Sequence, residues 1–180
     1  VIETERLVLR PYGYDDAERL HQILSDDRVY PWLDDPPHRP MASPEAAKES
    51  IDRWAARTAE DPFDQRWAIE VRDSRLVAGS VLLARMTRKE GGYVGEHEIG
   101  WHLAPDSWGH GYATEAARAV LDWAFAAGLD AAWCGMYPHN EASQRVAEKL
   151  GLPFVGVQPD PWYQGDSRLY RVTREEWLAR

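Results

Sequence analysis

The sequence predicts a single α+β domain over residues 1–180, built on a mixed sheet in which an antiparallel meander gives way to one parallel crossover. Two observations carry this. Alternating runs at Arg66 to Arg72, Leu76 to Met86 and Glu96 to Leu103 follow one another through the short turns Asp73-Ser74 and Gly91-Gly92, as a meander requires. Beyond them a strand, a glycine turn, a helix-period segment and a further strand come in order. A helix lying between two strands brings those strands side by side in parallel.

Each element has its own local reason. Glu5 to Arg10 reads as a first strand, and Asp15 to Leu24 as a helix whose Ala17, Leu20, Ile23 and Leu24 share one face. Pro31 to Pro44 is a loop, because its five prolines, with Trp32, Asp34 and Asp35 among them, exclude a continuous helix or a central strand. Loops of this kind often wall a site. Ser43-Pro44-Glu45 starts a helix, with a serine cap, proline in the first position and an acid beside the dipole; Ala47, Ile51, Trp54 and Ala55 continue its apolar face to about Thr58.

In the strand from Glu96 to Leu103, the residues Ile99, Trp101 and Leu103 fall on one face and Glu96, Glu98 and His102 on the other. The segment from Glu115 to Ala127 repeats Ala117, Val120, Leu121, Ala124 and Phe125 at helical spacing and stops at Gly128. A strand from Ala131 to Met136, a helix from Glu141 to Leu150, and strands near Phe154 to Val157 and Arg168 to Val172 complete the order.

Composition excludes several classes. A net charge of −9 opposes a nucleic-acid surface and favours cationic partners. The lone Cys134 allows no internal disulfide and lies in an apolar strand without an adjacent base, which marks a buried structural thiol. No apolar run approaches the ~20 residues of a membrane span, and none resembles a signal peptide, so a cytoplasmic setting without membrane association is expected. His97-Glu98-Ile99-Gly100-Trp101-His102 misses the zinc-protease spacing by one residue and sits in β alternation, so no metal is expected. The nine tryptophans are expected to be mostly core, and together with a C-terminal strand near a sheet edge they permit a homodimer.

Trp108-Gly109-His110-Gly111-Tyr112-Ala113-Thr114 has the makings of an anion cradle. Glycines let successive N–H groups turn toward one point, and the first turn of the following helix adds unpaired N–H groups and the positive end of its dipole. Two nucleotide-binding templates fail against it. There is no Gly-Lys-Ser/Thr ending for a P-loop, and the strand Ala131 to Tyr137 offers no acid for a dinucleotide ribose.

Taken together, Glu98-Ile99-Gly100-Trp101, Trp108 through Ala116, Asn140-Glu141-Ala142-Ser143 and Lys149-Leu150-Gly151 resemble the GNAT acetyltransferases. The opening Thr4-Glu5-Arg6-Leu7-Val8-Leu9-Arg10-Pro11 and the closing Tyr170 to Trp177 are similar to the subgroup named for acetylating the N-termini of ribosomal proteins, so the likeness covers nearly the whole chain. The resemblance implies the GNAT fold, acetyl-CoA as cosubstrate and an amine acceptor, either a peptide N-terminus or a small molecule. It implies that Trp108 to Thr114 hold the pyrophosphate, and that pantetheine threads the gap between splayed strands to pair with the backbone of Trp101, His102 and Leu103. Asn140 would bond the pantetheine arm. Two positions depart from the family pattern: Trp108 stands where Gln or Arg is usual, and Ala147 where many members place a proton-donating tyrosine. Ser143, three residues after the asparagine, is the donor the subgroup would imply.

Transfer of an acetyl group from a thioester to an amine needs a neutral nucleophile, a polarised carbonyl and a proton source for the departing thiolate. Glu98 is the first choice for the base, with Glu96 on the same face, a water chain, or His102 as the others; His97 faces the core side. Asn140 is equally an N-cap for its helix, with Ser143 where the cap's partner amide lies. Arg145 and Lys149 read as solvated helix charges. Tyr30, Trp32, Asp34, Asp35, Trp54, Phe63 and Asp160-Pro161-Trp162-Tyr163 are expected to form an aromatic and acidic acceptor pocket, with Asp34 and Asp35 reading a cation. A non-catalytic acyl-CoA-binding protein and a nucleotide module unrelated to CoA are the alternatives that the residues leave open.

Overall fold

The computed structural model describes residues 1–87, 91–160 and 164–180. Its centre is an eight-stranded sheet. Along the sheet run β1 (Ile2–Glu3), β2 (Leu7–Pro11), β3 (Gln65–Val71), β4 (Val77–Thr87), β5 (Tyr93–Leu103), β6 (Ala131–Met136), then β8 (Asp166–Thr173) and β7 (Phe154–Pro159) at the far edge. Every neighbouring pair is antiparallel except β5 and β6. That parallel pairing holds only at His97 with Ala132 and Glu98 with Trp133. From Gly100 to Leu103, β5 runs on with β4 as its only partner. The two middle strands therefore part just beyond Glu98.

Helices cover both faces. On one face lie α1 (Ala17–Ser25) and α2 (Pro44–Glu60), whose Ala17, Leu20, Ala47 and Ile51 pack against Tyr12, Ala68 and Val77. On the other, α3 (Tyr112–Ala126) presents Ala117, Val120, Leu121, Ala124 and Phe125, all fully buried, against Trp67, Val81, Leu83 and Ile99. Burial of a side chain the size of Leu or Phe stabilises by roughly 1.5–3 kcal/mol, so this stripe holds α3 in place. The helix α4 (Glu141–Lys149) adds Ala147 and α5 (Arg174–Leu178) adds Trp177 to the same core. Edge strand β7 leaves Phe154, Val155 and Val157 exposed.

The predicted α+β order is the observed one, with differences at the ends of elements. The first helix begins at Ala17 after a 3₁₀ turn over Tyr14–Asp16, because the Asp16 carboxylate is drawn to the Gly13 N–H at 2.8 Å and to Arg10 at 2.7 Å. Its partner α2 continues to Glu60, past Thr58. Strand β5 starts at Tyr93, and α3 starts at Tyr112 instead of Glu115, since Gly111 at φ +79° serves as its N-cap. Two elements went unforeseen: the two-residue β1, and α5, whose capping box pairs the Thr173 hydroxyl with the Glu176 N–H and the Glu176 carboxylate with the Thr173 N–H. The Thr173-Arg174-Glu175-Glu176 pattern carries that signal. Cys134 is buried as expected, with burial and the nearby Glu98 charge pushing its thiol well above the usual range.

Candidate active site

The parting of β5 from β6 opens a cleft of about 1180 Å³. Its walls are set by sequence-local reasons. At one end Gly109 and Gly111 adopt φ values of +80° and +79°, a left-handed conformation that glycine takes without Cβ strain. They deliver the chain to an α3 N-terminus that no side chain caps, so its first N–H groups face the cleft mouth beside Gly109, Gly111, Tyr112, Ala113 and Thr114. Donors without acidic competition, at the positive end of a fifteen-residue helix, suit a phosphate. A pyrophosphate group fits the residues present.

This cradle is braced from behind. Arg6 donates from Nη1 to the His110 carbonyl at 2.9 Å and from Nε to Glu115 at 2.7 Å, while Thr4 Oγ1 and the Arg6 N–H reach the same carboxylate at 2.6 and 3.0 Å. Glu115, the one acid in the first turn of α3, is thereby turned away from the anion position and neutralised. Its carboxyl feels burial pushing it up, but the Thr4 and Arg6 donors prevail and hold it below the usual carboxylate range. His110 stacks on Tyr112 with 5.2 Å between ring centroids and does not line the cleft. Thr4, Arg6 and Glu115 all lie within the family motifs, but their meeting depends on a contact more than a hundred residues apart in sequence.

Trp108 and Leu103 differ from expectation. The Trp108 indole N–H donates to the Leu103 carbonyl at 2.9 Å, so that carbonyl is already engaged and retains one lone pair. Trp101 and Leu103 are partly buried against the α3 core, and both residues border the cleft.

In the middle of the cleft stands Glu98. Its Oε1 accepts the Gly135 N–H at 3.3 Å across the gap. Asp160 Oδ2 lies close to the same glycine, where a Cβ would sit 3.3 Å from Glu98 Oε1 and 3.8 Å from Asp160 Oδ2. Glu96, on the same face, is instead engaged away from the cleft by the Trp133 indole N–H and by Arg171 Nη2 at 3.3 Å. Among the two acids, only Glu98 borders the cleft. His97 is core-side and buried, with Nε2 2.9 Å from Asp61 and Phe63 edge-on to its ring. His102 borders the cleft, but its Nε2 is shut off from solvent without a hydrogen-bond partner among the described residues, and burial aided by Arg66 pushes its pKa down to about 4. It is a poor base for that reason.

At the N-terminus of α4, Ser143 donates its N–H to Asn140 Oδ1 at 3.1 Å, the predicted cap, and both residues border the cleft. The proline-rich loop roofs the gap. Val29 and Leu33 pack on Ala104 after β5. On the β6 side, Tyr137 donates to the Asp34 carbonyl at 2.7 Å, Trp32 lies 5.2 Å from the His139 ring, and Asp35 accepts the Gln164 N–H at 2.7 Å.

Of the expected acceptor pocket, Tyr30, Trp32, Asp34, Asp35 and Trp54 border the cleft, and Asp160 sits beside Glu98. Phe63 does not: it lies just before β3 and packs edge-on against His97 and Trp123 on the α3 side. Pro161, Trp162 and Tyr163 lie outside the described residues. Arg53, Arg66, Tyr137 and His139, absent from the expected set, also border the cleft. Among the described residues no group of His, Cys, Asp and Glu is arranged to hold a metal ion, and no helix is long and apolar enough to cross a membrane.

An uncapped helix N-terminus behind a two-glycine turn, opening on a gap between two parallel strands, is the arrangement that the motif resemblance implies. The acetyltransferase (GNAT) domain family matches residues 6–153. The chain belongs to the GNAT acetyltransferase family. Among its relatives is YoaA of Bacillus subtilis (strain 168), named an uncharacterized N-acetyltransferase, 31% identical over 181 residues and 97% of each chain. A GNAT-family acetyltransferase from Bacillus anthracis shares the fold with a TM-score of 0.78 at 24% identity, over 97% of this chain and 99% of that one. So does Mycobacterium smegmatis RimJ in complex with CoA-disulfide, with a TM-score of 0.78 at 23% identity, over 94% of this chain and 83% of that one. This GNAT domain is an acetyl-CoA-dependent acetyltransferase.

Proposed function

We propose that this GNAT enzyme acetylates a primary amine, a peptide N-terminus or a small molecule, by direct transfer from acetyl-CoA, with Glu98 as general base and Ser143 as general acid. The observation that carries the reading is the place of Glu98: the last paired residue before the strands part, its carboxylate bridged to Gly135 over the opening. A carboxylate held there faces whatever enters between the strands. It accepts the proton of an incoming ammonium group directly or through water.

The other roles follow from the walls. The Gly109–Gly111 turn and the α3 N-terminus receive the pyrophosphate. Asn140 is half committed to capping α4, so its Nδ2 amide is the part that reaches the pantetheine arm. The Ser143 hydroxyl sits in the first turn of α4, where the helix dipole favours a developing thiolate and the hydroxyl supplies its proton. Ala147 is fully buried and takes no part. Likeness of the opening and closing motifs to ribosomal-protein N-terminal acetyltransferases supports the peptide arm.

The test is thiol release from acetyl-CoA across N-terminal peptides, amino acids, polyamines and aminoglycosides, with product mass confirming acetylation. Turnover on one class with Glu98→Gln strongly slowed supports the reading. Wild-type rates in both Glu98→Gln and Ser143→Ala would remove the assigned roles.

A further inference from the structure

The acceptor end of the cleft is polarised. Asp34, Asp35 and Glu98 stand toward β6 and the roof, while two guanidinium groups stand opposite on α2 and β3. Arg53 folds back along α2 to donate from Nη2 to the buried Ser50 hydroxyl at 2.7 Å and forms no ion pair among the described residues. Arg66 lies 5.6 Å from the Trp54 ring on the same turn of α2, with its side chain 16% exposed. Its carboxylate partner Asp64, at 3.2 Å, is shared with Arg85, also at 3.2 Å. The register of β3, β4 and β5 puts Arg66, Leu82 and Gly100 in one row, next to Glu98 and His102 on the same face. Gly100 has no side chain of its own, and the Leu82 side chain packs over it, 3.3 Å from where a Cβ would stand. His102 is held neutral and adds no third charge.

Two guanidiniums set beside one turn of α2, both bordering the cleft, are arranged to receive an anion. Resting on the acetyltransferase reading, we propose that the acceptor carries a carboxylate within a few bonds of its amine, held by Arg53 and Arg66 while the amine faces Glu98. The source of the carboxylate is a free amino acid or an acidic first residue of a peptide.

The experiment uses two matched pairs on the whole chain: L-phenylalanine against L-phenylalaninamide, and a peptide amide beginning with aspartate against the same peptide beginning with asparagine. Thiol release gives kcat/KM, and calorimetry on the CoA-loaded protein gives binding without turnover. The expected result is a preference of about tenfold or more for the carboxylate member of one pair, which identifies the source. That preference falls to about threefold or less in Arg53→Gln, which among the described residues gives up only the Ser50 bond, with acetyl-CoA affinity unchanged. Thiol release with no preference in either pair, or a preference untouched in both Arg53→Gln and Arg66→Gln, overturns the carboxylate site and leaves the transferase intact. A binding preference without thiol release sinks the transferase reading and leaves the site standing.

Discussion

Glu98 Oε1 accepts the Gly135 N–H at 3.3 Å, two residues past the last backbone pair of β5 and β6. A side chain thus spans the sheet where the ladder stops. Glu98→Gln keeps an acceptor for that N–H but loses basicity, so the fold persists while kcat drops by about 10²-fold or more. Gly135→Ala acts on the same contact from the other side, because its Cβ would lie 3.3 Å from Glu98 Oε1 and 3.4 Å from Leu169 Cδ2. A smaller fall in kcat with near-normal acetyl-CoA affinity is expected. Steady-state kinetics with melting controls check both, and a Gly135→Ala enzyme with unchanged kcat would show that the position of the Glu98 carboxylate is unimportant.

The brace behind the cradle makes a separate prediction. Arg6→Ala removes the bonds to His110 and Glu115, freeing an acid in the first turn of α3 beside the anion position. The KM for acetyl-CoA rises about tenfold, with kcat at saturation nearly preserved, since the loss is of uniform binding. Because the Glu115 carboxyl is held below its ordinary value, the stabilisation it gives is complete above about pH 4.3 and fades only as the pH falls through the lowered folded value. Acetyl-CoA affinity limited by this brace is therefore flat from pH 6 to 8. An Arg6→Ala variant with wild-type KM would end the argument.

His102 sets a different pH window. Its pKa stands at about 4 in the fold, so the unfolded chain takes up the proton first and stability falls as the pH drops from about 6.5 toward 4. Between pH 7 and pH 5 the loss from this one group is roughly 1–2 kcal/mol. Urea unfolding at the two pH values measures it, and His102→Gln should flatten the difference by that amount. An unchanged pH dependence in the variant would show that His102 is not buried in its neutral form.

Much of this architecture was legible because it follows from local rules. Alternation in Glu96 to Leu103 separates Glu98 from the core side, proline density places the roof, and the two glycines mark the cradle. What escaped notice depends on long-range geometry. Arg6 meets Glu115, and Arg66 of β3 reaches the Trp54 ring beside Arg53 on α2, through register and helix placement that no window of sequence contains. Phe63 was misplaced for a related reason: as a residue just before a strand it had no alternation of its own to assign it a face, and packing on His97 and Trp123 decided the matter.

The proton donor is the remaining choice among the cleft residues, and the roof supplies the rival. Tyr137 sits at the mouth with its hydroxyl given to the Asp34 carbonyl at 2.7 Å, and burial with the Asp35 and Asp34 charges pushes its pKa up. A hydroxyl already donating to a carbonyl must break that bond before it protonates a thiolate, whereas among the described residues no such bond ties the Ser143 hydroxyl. Ser143→Ala is therefore expected to lower kcat by about tenfold or more with acetyl-CoA affinity kept. Tyr137→Phe instead loosens the roof, losing one hydrogen bond of about 1 kcal/mol, and raises both KM values several-fold without lowering kcat. Parallel single-turnover and steady-state measurements separate the two. A hundredfold fall in the chemical step for Tyr137→Phe, with Ser143→Ala unaffected, would transfer the acid's role to the roof tyrosine.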